Sequence, residues 1–258
     1  PEYLIANNMP NNAFGICYRL VCMHIFFAAF VKGVTGLGFS TTALPFLVLS
    51  IGLKETLPLL IIPSILSNLL VMRSAGHFRV SCLRFWPLYI ATLPGIFVGL
   101  ILLKRLDSYT CAAVLGGVLV IYSALALSNP SFRLTSYSAQ WLQTPVGCVT
   151  GLLNGMTGSQ VVPVVPYLLS LPLERDHFVQ ASNISFTLSS LVMSLGLTQL
   201  GLMTLETSLI SSFGVILVYT GVQLGTRVRR WMSPSVFRRT VLGLLICLGF
   251  SLVVRLIL

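Results

Sequence analysis

The chain has 258 residues, of which 55% are hydrophobic and only 9% charged. A soluble domain carries about 25% charged residues, so this composition excludes a soluble globular protein and marks an integral membrane protein. The net charge of +10 comes without a soluble basic domain, which excludes nucleic-acid binding and assigns the excess arginine to loops on one side of a bilayer.

The first twelve residues, PEYLIANNMPNN, form a polar tail (1–12) and are not read as a cleavable signal peptide. Residues 13–52 are then apolar almost without interruption. One straight helix of that length would be about 60 Å long, twice the ~30 Å hydrocarbon core. The run must therefore turn. Gly33, Gly36 and Gly38 mark the place, predicting helices over 13–32 and 35–51. The pair is either two crossings or a hairpin that dips in and returns.

Helices over 56–73, 85–103 and 109–127 complete a first transmembrane repeat over 13–127. The stretch 128–141 is the longest polar segment and is read as a linker, with Asn129-Pro130 as a turn signal and Trp141 suited to an interface. The second repeat, 142–258, follows the same plan. An apolar run over 142–170 is broken at Gly155–Gly158, and helices are predicted over 177–199, 205–226 and 237–257.

The halves match in sequence. Gly33-Val34-Thr35-Gly36 aligns with Gly155-Met156-Thr157-Gly158, and Pro94–Gly99 with Thr220–Gly225. Such duplication is a mark of secondary transporters. If each broken segment is a hairpin, each half has an odd number of passes and the repeats are inverted. The arginine loops at 73–84 and 226–239 then share one face, as the positive-inside rule prefers, and both termini lie on the other. The expected fold is an all-α integral membrane protein of two inverted repeats, each of four to five membrane segments, with broken or re-entrant helices at the glycine motifs.

A backbone that breaks at membrane depth is tolerated only where it is buried in protein or lines a wet cavity. The helix that restarts after the break offers free N–H groups and a positive dipole end, an anion cradle. The candidate substrate-binding residues of the first break are Lys32, Gly33, Thr35, Gly36, Gly38, Ser40 and Thr41. Those of the second are Asn154, Gly155, Thr157, Gly158, Ser159 and Gln160. The plainer alternative is that the glycines only let helices pack closely. Lys32 either points into the cavity or snorkels to an interface; its repeat partner is the neutral Asn154. On the helix over 56–73, Ser64, Ser67 and Asn68 share one face, and Gln180, Ser182, Asn183, Ser185 and Thr187 lie on the equivalent helix. These stripes are interhelical glue or cavity lining. Asn68 and Asn183 are the chosen candidates, because amides both donate and accept.

No Asp or Glu falls in the middle of a predicted helix. Cation channels use acidic rings and many proton pumps use buried carboxylates, so the pattern points to a small anion. Six scattered cysteines with no CxxC pair, and three separated histidines, give no metal or disulfide framework, and no metal or cofactor is expected.

The Gly-x-x-Gly-x-Gly break after an apolar helix, the proline near the next helix and the diverged second copy resemble the TauE/SafE family of sulfite exporters. The resemblance covers essentially the whole chain. It implies a secondary transporter or facilitator that exports a small sulfur-containing anion, sulfite or an organosulfonate such as sulfoacetate. Phe39 after Gly38, and Gln160 in the second copy, depart from the usual glycine-rich run and leave the exact substrate open. An anion channel without alternating access is the alternative. An intramembrane enzyme is remote, since no Gly-x-Ser-x-Gly or HExxH pairs a nucleophile or base with a partner. The expected partners are the small anion and the lipid bilayer, with homo-oligomerisation left open. The expected location is a bacterial or archaeal plasma membrane, crossed several times.

Overall fold

Lipid offers no partner to a backbone N–H or C=O, so a chain this apolar satisfies its backbone within helices. The computed structural model describes residues 11–35, 38–128, 134, 136–228 and 234–257. Among these there are helices and no strands: α1 (Asn11–Thr35), α2 (Phe39–Ile51), α3 (Leu53–Ala75), α4 (Phe78–Arg105), α5 (Ser108–Ser128), α6 (Ser136–Thr157), α7 (Val164–Leu169), α8 (Arg175–Gln199), α9 (Leu205–Val228) and α10 (Pro234–Ile257). Among the described residues five of them, α3, α4, α5, α8 and α9, are long and apolar enough to cross a membrane. Exposed Trp86, Ile90, Phe97, Leu195, Phe213 and Ile216 face outward, as they do when the solvent is hydrocarbon.

The first apolar run does turn. His24 of α1 stacks on Phe46 of α2 with ring centroids 4.9 Å apart, and Phe27 meets the same ring edge-on at 6.1 Å. So α2 runs back beside α1. Its 13 residues reach only about 20 Å, too short to cross. The turn falls later than the sequence suggests, because α1 continues through Gly33 to Thr35. Gly33 packs on α9: a Cβ there would lie 2.3 Å from the Val222 carbonyl oxygen and 3.0 Å from Gly225 Cα. The same holds at α6, which continues through Gly155 to Thr157. A Cβ on Gly155 would lie 2.4 Å from the Ile96 carbonyl oxygen and 2.9 Å from Gly99 Cα on α4. The chain turns instead at Gly38 (φ +89°) and Gly158 (φ +76°), in the left-handed region that favours glycine.

Two other boundaries differ from expectation. The helix expected from residue 85 begins at Phe78; residue 85 is where α4 kinks (φ −114°, ψ 17°), two residues before Pro87. The expected linker over 128–141 is partly helical, since α6 starts at Ser136.

The two ends of the bundle are tied differently. At one end Lys54 Nζ donates to the Leu106 carbonyl at 3.1 Å and Arg255 Nη1 to that of Leu49 at 3.1 Å. There the Asp107 carboxylate accepts from the Thr110 hydroxyl (2.6 Å) and amide (2.8 Å), which holds it below the usual carboxylate range. At the other end the rings of His77 and His177 lie 4.0 Å apart, and Gln143 Nε2 donates to the Arg84 carbonyl at 3.3 Å. Arg73, Arg79, Arg175, Arg227 and Arg239 belong to this second end.

Candidate functional site

The middle of the bundle is where polar side chains gather. Ser64 stands eleven residues into α3 and Ser190 nine residues before the end of α8, each roughly 15 Å from the same end of the bundle. A run of hydrogen bonds joins both halves there. Gln160 Nε2 donates to Ser190 Oγ at 2.8 Å, Ser190 Oγ donates to Ser64 Oγ at 3.4 Å, and Ser64 Oγ meets Ser40 Oγ at 3.0 Å. These four residues come from α3, α8, the first turn of α2 and the segment after α6.

Lys32, on the last turn of α1, is 1% exposed. Its ammonium donates to Asn68 Oδ1 and makes no ion pair among the described residues. Burying an unpaired charge costs several kcal/mol, so the position favours a counter-ion brought from outside. Asn68 Nδ2 is buried with no acceptor. Beside them α2 begins. Its first intrahelical bond is Thr42 N to Gly38 O at 2.9 Å, and Gly38 has no side chain to cap the turn, so the N–H groups of that turn carry the positive end of the helix.

Lys32, Asn68, Gly38, Ser40, Thr41, Ser64, Gln160, Val161 and Phe186 surround one narrow cavity of about 10 Å³. Ser40, Ser64 and Gln160 also line a second narrow cavity of about 20 Å³, with Asn154, Gly158, Ser190 and the apolar Leu44, Leu57, Leu60, Ile61 and Met193. Both amide atoms of buried Asn154 lack partners. Gly38 and Thr41 also open onto a cleft of about 180 Å³ that reaches the first turn of α8 at Phe178, at the arginine-bearing end. No acidic side chain lines any of the three among the described residues.

The expected site residues thus separate into groups. Lys32, Gly38, Ser40, Thr41, Asn68 and Gln160 share the first cavity, and Asn154, Gly158 and Gln160 the second. Thr35 lines the cleft and donates to the Val31 carbonyl at 2.9 Å. Thr157 Oγ1 donates to Leu153 O at 2.6 Å and accepts from Ser159 N at 3.2 Å, while Ser159 Oγ is buried without a partner. Asn183 donates to the Val179 carbonyl at 2.8 Å and lines neither cavity. Gly33 and Gly155 sit on helix seams. Gly36 lies outside the described residues. Sequence reasoning had Ser64 only as part of a stripe and missed Ser190. Its signal was present, because Gln180, Asn183, Thr187 and Ser190 continue one helical face at i, i+3, i+7 and i+10.

The family described as "Sulfite exporter TauE/SafE" matches residues 21–252. A protein of Cupriavidus necator named "Probable sulfite/organosulfonate exporter TauE" is 28% identical over 165 residues, covering 63% of this chain and 64% of that protein. The matched part therefore spans less than two thirds of that relative's length. No solved structure matches the chain.

Proposed function

The chain belongs to the sulfite exporter TauE/SafE family, and from that premise we propose that it exports a small sulfur-containing anion by alternating access. It is an integral, multi-pass membrane protein of a transporter family. The anion is held at mid-membrane by Lys32, Asn68 and the first turn of α2, with Ser40, Thr41 and Gln160 as neutral donors. One observation carries this reading: a fully buried lysine whose only partner among the described residues is an amide, beside a cavity that no described carboxylate lines. Sulfite and organosulfonates fit as substrates because the named relative is described by them.

The arginine-bearing end faces the cytoplasm of a plasma membrane by the positive-inside rule. The cleft opens toward that end, while Leu44, Leu57, Leu60, Ile61 and Met193 close the far side of the second cavity. Closure on one side weighs against an open channel and supports an inward-facing carrier. Reciprocal packing supports the inverted repeats: α1 lies on α9 as α6 lies on α4, and α3 meets α8 as α5 meets α10. Gly33–Gly225 and Gly155–Gly99 are then equivalent contacts. Rocking one half against the other exposes the same site to the opposite side, and an inside-negative potential drives one negative charge outward with ~2.3 kcal/mol per 100 mV.

Sulfite efflux from proteoliposomes tests this. Truncating one member of a buried charged hydrogen bond costs 2–5 kcal/mol, so Lys32→Ala should lower flux by roughly 30-fold or more and Asn68→Ala by a smaller factor. Wild-type flux in both variants would exclude the site.

A further inference from the structure

The Lys32 cavity is small and the space that leads into it is not. Gly38 and Thr41 line both the cavity of about 10 Å³ and the cleft of about 180 Å³. The first has room for about one water. The apolar part of the cleft wall includes Val31, Val165, Leu169, Val241, Leu242 and Leu245, and Val31, Val165, Leu242 and Leu245 in it are each under 5% exposed. No charged side chain lines it among the described residues. An access route for inorganic anions alone gains from basic walls that replace the water the ion gives up. This route instead narrows from an uncharged, largely apolar chamber, with Thr35, Thr41, Thr42 and Tyr122 also in its wall, to a single lysine.

We propose that the preferred substrate is an organic monoanion whose charged head sits at Lys32 and Asn68 and whose uncharged apolar body, of short alkyl or aryl size, fills the cleft between α2, α7 and α10. This rests on the anion reading above and narrows it. A second charge on the body would be stripped of water against Val165, Leu242 and Leu245 with no counter-ion lining the cleft among the described residues. The cleft therefore discriminates against zwitterions and dianions of the same length. The hydroxyls of Thr41 and Thr42, at the junction of cavity and cleft, suit the link between head and body.

The test is a binding series on the full chain in lipid nanodiscs, with sulfite and the straight-chain sulfonates from methanesulfonate to butanesulfonate. Each buried methylene should tighten binding about fourfold, the ratio equivalent to ~0.8 kcal/mol per CH₂. Ethanesulfonate should bind at least about tenfold tighter than its terminal-amino derivative. Lys32→Ala should weaken every member by a similar factor. Leu242→Gln should flatten the series, and Leu245→Phe, which narrows the cleft without adding charge, should shorten the best chain. A flat series in the wild type whose members all depend on Lys32 overturns the apolar-body proposal and leaves the anion site standing. A series indifferent to Lys32→Ala overturns both. A chain-length gain that survives Leu242→Gln and Leu245→Phe unchanged means partition into bilayer, or a cleft already filled by a lipid chain, and also overturns the proposal.

Discussion

The two broken segments occupy matching places in the two halves of the sequence and carry different side chains. In the first, Lys32 sits on the last turn of α1 and a 13-residue helix returns from Gly38 with its positive end toward the lysine. In the second, Asn154 stands at the matching position and the returning helix, α7, has six residues. Gln160 reaches across from it to Ser190, and so to Ser64 and Ser40 of the first half. The glycine scaffold is duplicated while the charge is not. On the proposed reading the lysine holds the anion, and the neutral matching position is where the anion loosens. Conduction of an ion needs binding favourable enough to enter and weak enough to leave.

The largest effects should come from the part that is the same in both halves. Leucine at Gly33 or Gly155 drives a side chain into a backbone carbonyl, at 2.3 and 2.4 Å from the new Cβ. Overpacking typically costs 1–3 kcal/mol and occasionally more, and here the obstacle is backbone, so each substitution should cost about 3 kcal/mol or more. Thermal unfolding in detergent measures it. Equal losses at the two positions support the matched seams, and an effect at one alone breaks the comparison. Gly117, where a new Cβ meets nothing within 4 Å, is the control: Gly117→Ala should be neutral or stabilise by up to about 1 kcal/mol.

Next come the positions where the halves differ. Lys32→Met should cut flux by roughly 30-fold or more with no loss of thermal stability, since replacing a buried charge with an apolar side chain of similar volume is often neutral or stabilising. A variant that unfolds instead would make Lys32 structural. Asn154→Lys places a second charge at the matching position. Anion binding should tighten while efflux slows by about tenfold, worth ~1.4 kcal/mol in the barrier. Faster efflux in that variant would mean that the neutral half is not a release station. Ser190→Ala removes one link of the hydroxyl run and should cost 0.5–1.5 kcal/mol of stability, with a smaller effect on transport than either cavity change.

The sequence made the breaks legible because an apolar run twice the bilayer thickness has to turn. The charge at Lys32, the neutral Asn154 and the polar face of α3 were legible for the same reason: polar groups are rare enough in such a chain to stand out. The role of Gly33 and Gly155 was not. Small residues spaced for a helix seam look the same as glycines freeing a backbone, and only the neighbour, Gly225 or Gly99, tells them apart. The bond from Gln160 to Ser190 joins residues 30 apart on a turn that no periodicity describes. Asn183 looked equal to Asn68, yet its amide donates to the backbone of its own helix one turn back and lines neither cavity. The start of α4 was missed because Arg79 and Arg84 read as a loop, whereas the helix begins at Phe78, carries both and only kinks at Phe85.

The smallest effect lies at the end away from the arginines, and it separates local helix chemistry from the function of the halves. Asp107 precedes α5 and takes two hydrogen bonds from Thr110, which hold its carboxyl below the usual range. A lowered folded value means that the carboxylate stabilises the fold above the unfolded value, about pH 4. That contribution is lost as pH falls through the lower folded value. Asp107→Asn keeps a capping oxygen and should leave the melting temperature near pH 7 almost unchanged, while removing this group's part of the acid limb. Asp107→Ala should lower the melting temperature slightly at neutral pH and bring it level with the wild type in strong acid. Efflux should be unaffected in both, because Asp107 touches neither cavity nor the cleft. A transport defect in Asp107→Asn with normal melting would show that this end takes part in gating, and that the inequality of the halves extends beyond the two breaks.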